Sequence, residues 1–283
     1  MRGLGDNIYQ RAFVRVLAEQ RPVYLRTPWP ELYEDLPAVH FVRDETPLRT
    51  QAKNLARQDA SRWSPAPERC IPRRIAYGAG HLRQGSIVDA MRLGFKCEPG
   101  TFDLPATGES LPFASDRPIA VVRPVTARRE WLNVARNPRP EYVAEIAASL
   151  LALGYFVVSV ADVADGAEWF VGDPPPCTIA LHSGELSVRQ LFTLIRTASV
   201  VVGGVGWVVP ACIATGTPLF CILGGQGGHN APSRILDRSM SLDRVSFTEP
   251  DRFCRCENMR HECDKRNSRI ADDWRAFRLA QGL

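Results

Sequence analysis

Glycines that follow apolar runs are the residues of this sequence best suited to hold an anion. Gly203, Gly204 and Gly206 come after the run SVVV, and a second glycine cluster, residues 224–228, comes after the run PLFCIL. Glycine lets the backbone approach a ligand closely, and the free N–H groups at the start of a following helix attract negative charge. The pattern predicts two glycine loops that flank one anion-binding cleft. The alternative is that both loops only make tight turns.

A third loop carries arginines. The segment RPVTARREW, residues 123–131, follows the apolar run IAVV, and the fork of an arginine side chain matches the oxygens of a diphosphate. A solvated loop is the alternative. The residues predicted to contact a diphosphate here are Arg123, Thr126, Arg128 and Arg129.

Further polar residues follow other apolar runs of the same half. Glu185 comes shortly after TIAL, and His229 comes directly after the second glycine cluster. Both positions predict contact with a bound nucleotide, its phosphates or its sugar, although a turn role is equally compatible with His229. His182 fits a structural role at a strand end better than a binding role.

Four potential metal ligands are close together near the C-terminus. They are Cys254, Cys256, His261 and Cys263, in the sequence CRCENMRHEC. Three thiolates and one imidazole form a ligand set that closes a structural zinc site. The first pair has the spacing Cys-x-Cys instead of the commoner Cys-x-x-Cys, so free thiols are an alternative and a disulfide is a third.

The elements that must position these residues alternate between strand and helix, which is typical of an α/β fold with a mostly parallel sheet. The C-terminal half contains five continuous apolar runs of the kind buried on both faces of a sheet. Three segments of the N-terminal half also predict strands, residues 22–26, 38–43 and 73–78, and helical patterns begin near Asn7 and cover 48–57 and 86–93.

Composition limits the class of protein. The chain has 283 residues, of which 45% are apolar and 23% charged, as in ordinary soluble globular proteins. No apolar stretch approaches the ~20 residues of a membrane span, and the first residues have no signal-peptide core, so a cytoplasmic protein is expected. The net charge is +4 and nearly all basic residues are arginine, which favours an anionic partner unless it only reflects codon usage.

Three segments together resemble one family, the ADP-heptose:lipopolysaccharide heptosyltransferases and their relatives, which have two Rossmann-like domains facing a central cleft, the GT-B fold. The first is RGLGDNIYQRAFVRVLAEQ at the N-terminus, the second is RPVTARREW, and the third runs from Gly184 to Gly225. The family has a full strand before the G-D loop of the first segment, whereas this sequence begins almost inside that loop.

The resemblance implies three regions along the chain, each with its own role. Residues 1–112 would be an acceptor-binding Rossmann-like domain, 113–248 a nucleotide-sugar-binding one, and 249–283 a Cys-rich segment with a helix that returns to the N-terminal domain. The Pro/Gly/Ser-rich stretch between Phe95 and Arg117 supports the first boundary. The terminal helix would present Ile270, Trp274 and Phe277 on one face.

The resemblance also assigns roles to residues. Asp6 would be the base that deprotonates the acceptor, and a cap for the following helix is the alternative role. The residues implied to bind the acceptor are Arg2, Asn7 and Gln10. Those implied to bind the donor, besides the arginine loop, are Glu185, Gly204, Val205, Gly206, Trp207, Gly225 and His229. Gly204 stands where the family has an acidic residue that contacts the donor sugar, so the sequence does not identify the sugar.

The predicted function is therefore inverting glycosyl transfer from a nucleotide sugar to a hydroxyl group of a surface glycan or small molecule, with no catalytic metal. One alternative is a glycosyltransferase acting on hydroxymethylated bases of phage DNA, because residues 62–74 combine several arginines with Trp63. Another is a non-catalytic nucleotide- or glycan-binding module. Oligomeric state is open.

Overall fold

The computed structural model of the protein describes residues 3–106 and 108–283; Arg2, predicted to bind the acceptor, lies outside them. The N-terminal half has these elements in chain order: α1 (Leu4–Ala18), β1 (Val23–Arg26), a 3₁₀ turn (Pro30–Tyr33), β2 (Val39–Val42), α2 (Arg49–Ala56), a second 3₁₀ turn (Ala60–Arg62), α3 (Ala79–Gln84) and α4 (Ile87–Phe95).

The C-terminal half contains more strands. Its elements in chain order are β3 (Ile119–Val122), β4 (Thr126–Arg128), α5 (Pro140–Ala152), β5 (Phe156–Val160), β6 (Glu168–Phe170), β7 (Ile179–Leu181), α6 (Val188–Thr197), β8 (Val200–Gly204), α7 (Val208–Thr215), β9 (Leu219–Ile222), α8 (Gly227–Asn230), α9 (Pro232–Ile235), β10 (Val245–Thr248) and α10 (Ile270–Gln281). In the part of the chain described, no helix has both the length and the apolar character needed to cross a membrane.

Six strands of the C-terminal half form one parallel sheet: the five that the apolar runs predict and β10, which they do not. Their order is β10-β9-β8-β3-β5-β7, and the strand residues at its centre, such as Val121 and Val201, are fully buried. Because β3 pairs with β8, Val122 lies beside Val202. The arginine loop after β3 and the glycine loop after β8, about 80 residues apart in sequence, therefore leave the sheet side by side.

The N-terminal half has a smaller sheet, in which β1 and β2 pair in parallel. The prediction of a strand over residues 73–78 is wrong, since this segment has no regular structure. Side chains hold it instead: the Tyr77 hydroxyl donates to Asp6, and the Arg73 guanidinium donates to the carbonyl of Phe95. Ile75 packs beneath α4, where a Cβ on Gly94 would come within 3.0 Å of it.

The two halves share buried apolar contacts. α1 packs against α7, and a Cβ on Gly5 would lie 3.2 Å from the Cα of Trp207. Arg92 of α4 also forms an ion pair across the two halves, with Asp237 at 2.7 Å. The division at residues 112 and 248 stays a prediction.

The terminal helix differs from its expected position. Ile270, Trp274 and Phe277 do lie on one buried face of α10, but that face covers the large sheet, where the rings of Trp274 and Phe277 contact Phe220 of β9. The indole N–H of Trp274 also donates to Ser149 of α5 at 3.3 Å. Among the described residues the apolar face of the helix therefore packs on the C-terminal half, and its expected return to the N-terminal half is not seen.

Candidate active site and metal centre

A cavity of about 1740 Å³ lies between the two halves and is lined by both. We call it the cleft. From the N-terminal half, the start of α1 and residues 69–79 line it; from the C-terminal half, the loops after β3, β7 and β8 do. It therefore brings Asp6 to the same space as Arg123, Gly206 and Trp207.

Asp6 is the third residue of α1. Gly3 is the N-cap of this helix and makes no side-chain cap; the Asp6 carboxylate instead accepts a hydrogen bond from the Gly3 backbone. The Tyr77 hydroxyl donates to Asp6 Oδ1 at 2.8 Å. A role at the helix start and a role in the cleft are thus compatible.

The environment of Asp6 suits a proton acceptor. Burial raises the pKa of this carboxyl group, and the hydrogen bonds from Tyr77 and Gly3 and the charge of Arg136 oppose that rise without cancelling it. A carboxylate with a raised pKa is a stronger base while it is still ionised near neutral pH.

Two guanidinium groups line the cleft together with Asp6 and have no carboxylate partner among the described residues. Arg123 follows β3, and its side chain rests on Gly206, where a Cβ would lie 2.7 Å from Arg123 Nη1. Arg136 also lines the cleft, and its buried Nε has no hydrogen-bond partner. In the described ranges neither arginine forms an ion pair, whereas most buried charges are paired.

The charges of these two arginines repel each other. Burial, together with the charges of Arg136 and Arg128, lowers the pKa of Arg123 to about 10, although Glu168 opposes the shift. Burial and Arg128 also lower the pKa of Arg136. Arginine keeps its proton in proteins, so an anion entering the cleft would relieve an unfavourable arrangement of like charges.

Two other residues of the predicted arginine loop line the cleft but have a protein partner. Arg128 forms an ion pair with Glu168 at 3.0 Å, and the Thr126 hydroxyl donates to the same carboxylate at 2.8 Å. Arg129 is exposed and is absent from the residues that line the cleft, because it lies beyond the end of β4. Its predicted diphosphate contact is not retained.

The predicted glycine loops also contain both residues that line the cleft and residues that pack against other parts of the protein. Val205, Gly206 and Trp207 line the cleft. A Cβ on Gly204 would lie 2.9 Å from Pro138, and one on Gly225 would lie 2.4 Å from the Cys263 sulfur. These two glycines make room for protein atoms, so their predicted ligand contacts are not retained.

The predicted nucleotide contacts at Glu185 and His229 also line the cleft. Glu185 accepts a hydrogen bond from the Ser183 N–H at 2.9 Å, and the buried Nε2 of His229 has no hydrogen-bond partner in the described part of the chain. His182 has the structural surroundings expected of it, since its Nε2 lies 2.8 Å from the Ser159 hydroxyl.

The two described residues predicted to bind the acceptor have different surroundings. Gln10 lines the cleft and donates to the Tyr33 hydroxyl at 3.3 Å. Asn7 does not line it: the side chain is buried, donates to the Gly3 carbonyl at 2.9 Å and accepts from Thr27 at 2.9 Å. Its amide is occupied by the protein, and a direct acceptor contact is not retained.

Sequence reasoning missed Arg136, Tyr77 and Gln226, all of which line the cleft. Tyr77 was hidden inside an apolar segment with a strand pattern, and Gln226 was surrounded by glycines. Arg136 lies beyond the predicted arginine loop. It belongs to the sequence ARNP, in which nothing distinguishes a buried guanidinium from a solvated one.

The basic segment 62–74 is partly engaged within the protein. Arg62 pairs with Glu34 at 2.6 Å, and Arg73 donates to the Phe95 carbonyl. Arg69 and Arg74 line the cleft. Arg69, Arg73 and Arg74 are nevertheless exposed, so the segment keeps several cations at the surface.

The four predicted metal ligands form a compact cluster whose donor atoms all lie within 4.8 Å of one another. The sulfurs of Cys256 and Cys263 are 3.5 Å apart, and His261 Nδ1 lies 3.3 Å from Cys263 and 3.6 Å from Cys254. The thiolates of a tetrahedral zinc, each ~2.3 Å from the metal, are about 3.8 Å apart. The cysteines are unbridged, so the donor set fits a metal better than a disulfide.

No model of a protein family matches this sequence, and no curated protein matches it. Solved structures do. TibC, an iron-containing dodecameric glycosyltransferase from enterotoxigenic E. coli, has a TM-score of 0.65 at 14% identity, over 99% of this chain and 74% of TibC. TibC in complex with ADP-D-β-D-heptose has a TM-score of 0.57 at 15% identity, over 100% and 76%.

A third similar structure is the ADP-heptose lipopolysaccharide heptosyltransferase II of E. coli, with a TM-score of 0.54 at 12% identity, over 100% of this chain and 98% of that enzyme. At such low identities the similarity concerns the fold alone. This chain has a heptosyltransferase-like GT-B fold, as the sequence predicts.

Proposed function

We propose that this protein is an inverting glycosyltransferase that moves a sugar from a nucleoside diphosphate to a hydroxyl group. The observation that carries the proposal is the content of the cleft: Asp6, with a raised pKa, shares it with the unpaired guanidinium groups of Arg123 and Arg136. A base and a site for a departing anion are the two requirements of this transfer.

The proposed reaction is a single displacement. Asp6 accepts the proton of the acceptor hydroxyl while the hydroxyl oxygen bonds to the anomeric carbon of the sugar. The bond from that carbon to the diphosphate breaks, and its electron pair leaves with the diphosphate oxygen. Arg123 and Arg136 stabilise the negative charge that develops there, without a catalytic metal. Attack opposite to the leaving group inverts the anomeric configuration.

The donor is proposed from the structural similarity. TibC has been solved with ADP-D-β-D-heptose, so ADP is the first nucleotide to test. The turn position that contacts the sugar in the resembling family is Gly204 here, and this glycine packs under Pro138. The sugar need not be heptose, and the donors tested should differ in both base and sugar.

For the acceptor we propose a hydroxyl group of a glycan or a small molecule. Residues 62–74 suggest DNA as the alternative, but Arg62 pairs with Glu34 and Arg73 donates to the Phe95 carbonyl, which leaves Arg69 and Arg74 of this segment for phosphate contacts. An acceptor DNA would also need several phosphate contacts and a steep loss of affinity with salt. Acceptor binding that changes little between low and high salt is expected.

Thermal denaturation with a panel of nucleoside diphosphates and nucleotide sugars tests the donor site. A ligand at 100 times its Kd stabilises the folded state by about 2.7 kcal/mol, which corresponds to a rise of roughly 5 °C in Tm for a chain of this size. We expect one base, ADP first, to produce this shift selectively. If no nucleotide shifts Tm, the proposal fails.

We also propose that the Cys254, Cys256, His261 and Cys263 cluster binds one structural metal ion. Three thiolates and an imidazole suit zinc, and thiolate ligands also suit iron; TibC is described as iron-containing. The segment lies against the second glycine cluster, where Gly225 makes room for Cys263. A bound ion would therefore fix the wall of the cleft that carries Gln226 and His229.

Replacing Cys256 with serine is expected to remove the metal and to lower Tm by roughly 10 °C, because the binding energy of a structural ion is folding energy. Elemental analysis of the purified protein for zinc and iron, together with thermal denaturation, measures both effects. Cys97→Ser is the matched control, since Cys97 lies outside the cluster. Wild-type protein that carries no metal when purified under reducing conditions would contradict this expectation.

A further inference from the structure

Gln226 has a backbone conformation that favours glycine. Its φ is +56°, and Lys96 is the other non-glycine residue with positive φ in the described chain. For residues with a side chain this region costs about 1–2 kcal/mol. Glycines surround Gln226 in the sequence GGQGG, yet the position itself is glutamine, and the side chain must therefore supply something that a fifth glycine cannot.

The side-chain amide of Gln226 joins three segments. It is almost fully buried, with 1% of its surface exposed. Its Oε1 accepts from Asn133 Nδ2 at 2.7 Å and from Asn230 Nδ2 at 2.8 Å, and its Nε2 donates to the Glu257 carbonyl at 3.2 Å. One amide thus links the loop after β4, the helix α8 and the metal-ligand segment.

The bond to Asn133 reaches the anion site. Asn133 Oδ1 accepts from the backbone N–H of Arg136 at 3.2 Å, so the same side chain that Gln226 holds also closes the turn that presents Arg136. The Ala135 N–H donates to the carbonyl of Met259 at 3.0 Å. The turn is therefore fixed from both the glycine cluster and the metal-ligand segment.

The glycines beside Gln226 complete this support. A Cβ on Gly224 would come within 2.1 Å of the Asn137 carbonyl, and one on Gly225 within 3.0 Å of the Ala135 carbonyl. The second glycine cluster is a close-fitting platform for the backbone of residues 133–137. Its physical role is to support the arginine turn by close packing, while the Gln226 side chain adds a hydrogen bond to the turn through Asn133.

We infer that Gln226 is a positioning residue that orients Arg136 for binding the diphosphate of the substrate. The inference rests on the proposed function, because it concerns how the anion site of that function is held. Gln226 itself need not touch the ligand. It acts through Asn133, and the left-handed backbone is tolerated because it directs the amide to that residue.

The test is a double-mutant cycle on the full-length, metal-loaded protein, with Gln226→Gly, Arg136→Met and their combination, and with the Kd for inorganic pyrophosphate and for ADP measured by calorimetry. Gln226→Gly alone is expected to weaken both ligands about tenfold. In the Arg136→Met background it should change neither Kd by more than about twofold, since a residue that acts only through Arg136 has nothing left to position.

Two controls separate this from a general structural effect. Lys96→Gly makes the same backbone change at an exposed residue away from the cleft and should leave both Kd values unchanged. Asn133→Ala breaks the same link from its other end and should reproduce the tenfold loss even if Gln226→Gly does not fold.

The possible failures are distinguishable. Wild-type protein that binds neither pyrophosphate nor ADP would overturn the proposed function together with this inference. Wild-type binding that Gln226→Gly and Asn133→Ala leave intact would overturn the inference alone. Additive losses in the double variant would do so as well, because they would show that Gln226 acts independently of Arg136.

Discussion

Replacement of Asp6 by asparagine is expected to lower kcat for sugar transfer by about 10²- to 10⁴-fold, the usual contribution of a general base. Asparagine has nearly the same shape and can still accept hydrogen bonds from Tyr77 and Gly3, but it cannot take a proton. The Kd for ADP should stay within about twofold, because the anion site is on the other wall of the cleft. Transfer assays and calorimetry give the two quantities.

The control for this substitution is Asp272→Asn, which removes a carboxylate that is 77% exposed on α10 and should leave kcat unchanged. If Asp6→Asn retains full transfer activity, Asp6 is not the base. If the wild-type protein binds ADP but transfers no sugar to any acceptor, the non-catalytic alternative is favoured.

The pH profile gives a second measurement on Asp6. Its ionised form is the active one, so kcat/KM should fall as pH drops through its pKa, which burial places above the ordinary aspartate value. Tyr77 donates to the carboxylate and thereby favours ionisation. Tyr77→Phe removes that bond, raises the pKa further and should move the acid limb of the profile to higher pH. A shift to lower pH, or none, would contradict this account.

Replacement of Arg136 or Arg123 by methionine is expected to weaken pyrophosphate and ADP binding by about 10- to 100-fold and to raise Tm of the ligand-free protein. The loss corresponds to removing one charged hydrogen-bond donor, about 1.5–3 kcal/mol. The gain in stability arises because each variant removes a buried charge that has no carboxylate partner and that repels its neighbour. Methionine retains an apolar chain of similar length.

Arg129→Met is the matched control, since Arg129 belongs to the same arginine loop but is exposed and away from the cleft. Its Kd values and Tm should equal those of the wild type. A fall in Tm for Arg136→Met would mean that its guanidinium has a stabilising partner in the folded protein. Unchanged affinity in both cleft variants would remove the anion site.

The sequence by itself determined the local elements that carry the site. The apolar runs predict the strands β3, β5, β7, β8 and β9 because strands buried on both faces need continuous apolar residues. The proline near the start of α5 and the capping pattern Ser187–Gln190 predict two of the intervening helices, and α6 begins with that capping box. The metal-ligand cluster was also visible, since its four donors lie within ten residues.

Only the tertiary structure decided which residues face the cleft. The pairing of β3 with β8 brings the Arg123 side chain against Gly206. Glu168 of β6 forms an ion pair with Arg128, whereas Arg136 has no ion-pair partner among the described residues. Gly204 and Gly225 look like Gly206 in the sequence but are covered by Pro138 and Cys263. The same limit applies to α10, whose apolar face was predictable although the sheet it covers was not. Periodicity and capping act over a few residues and are readable locally, whereas ion pairing and close backbone packing depend on segments that meet only once the chain has folded.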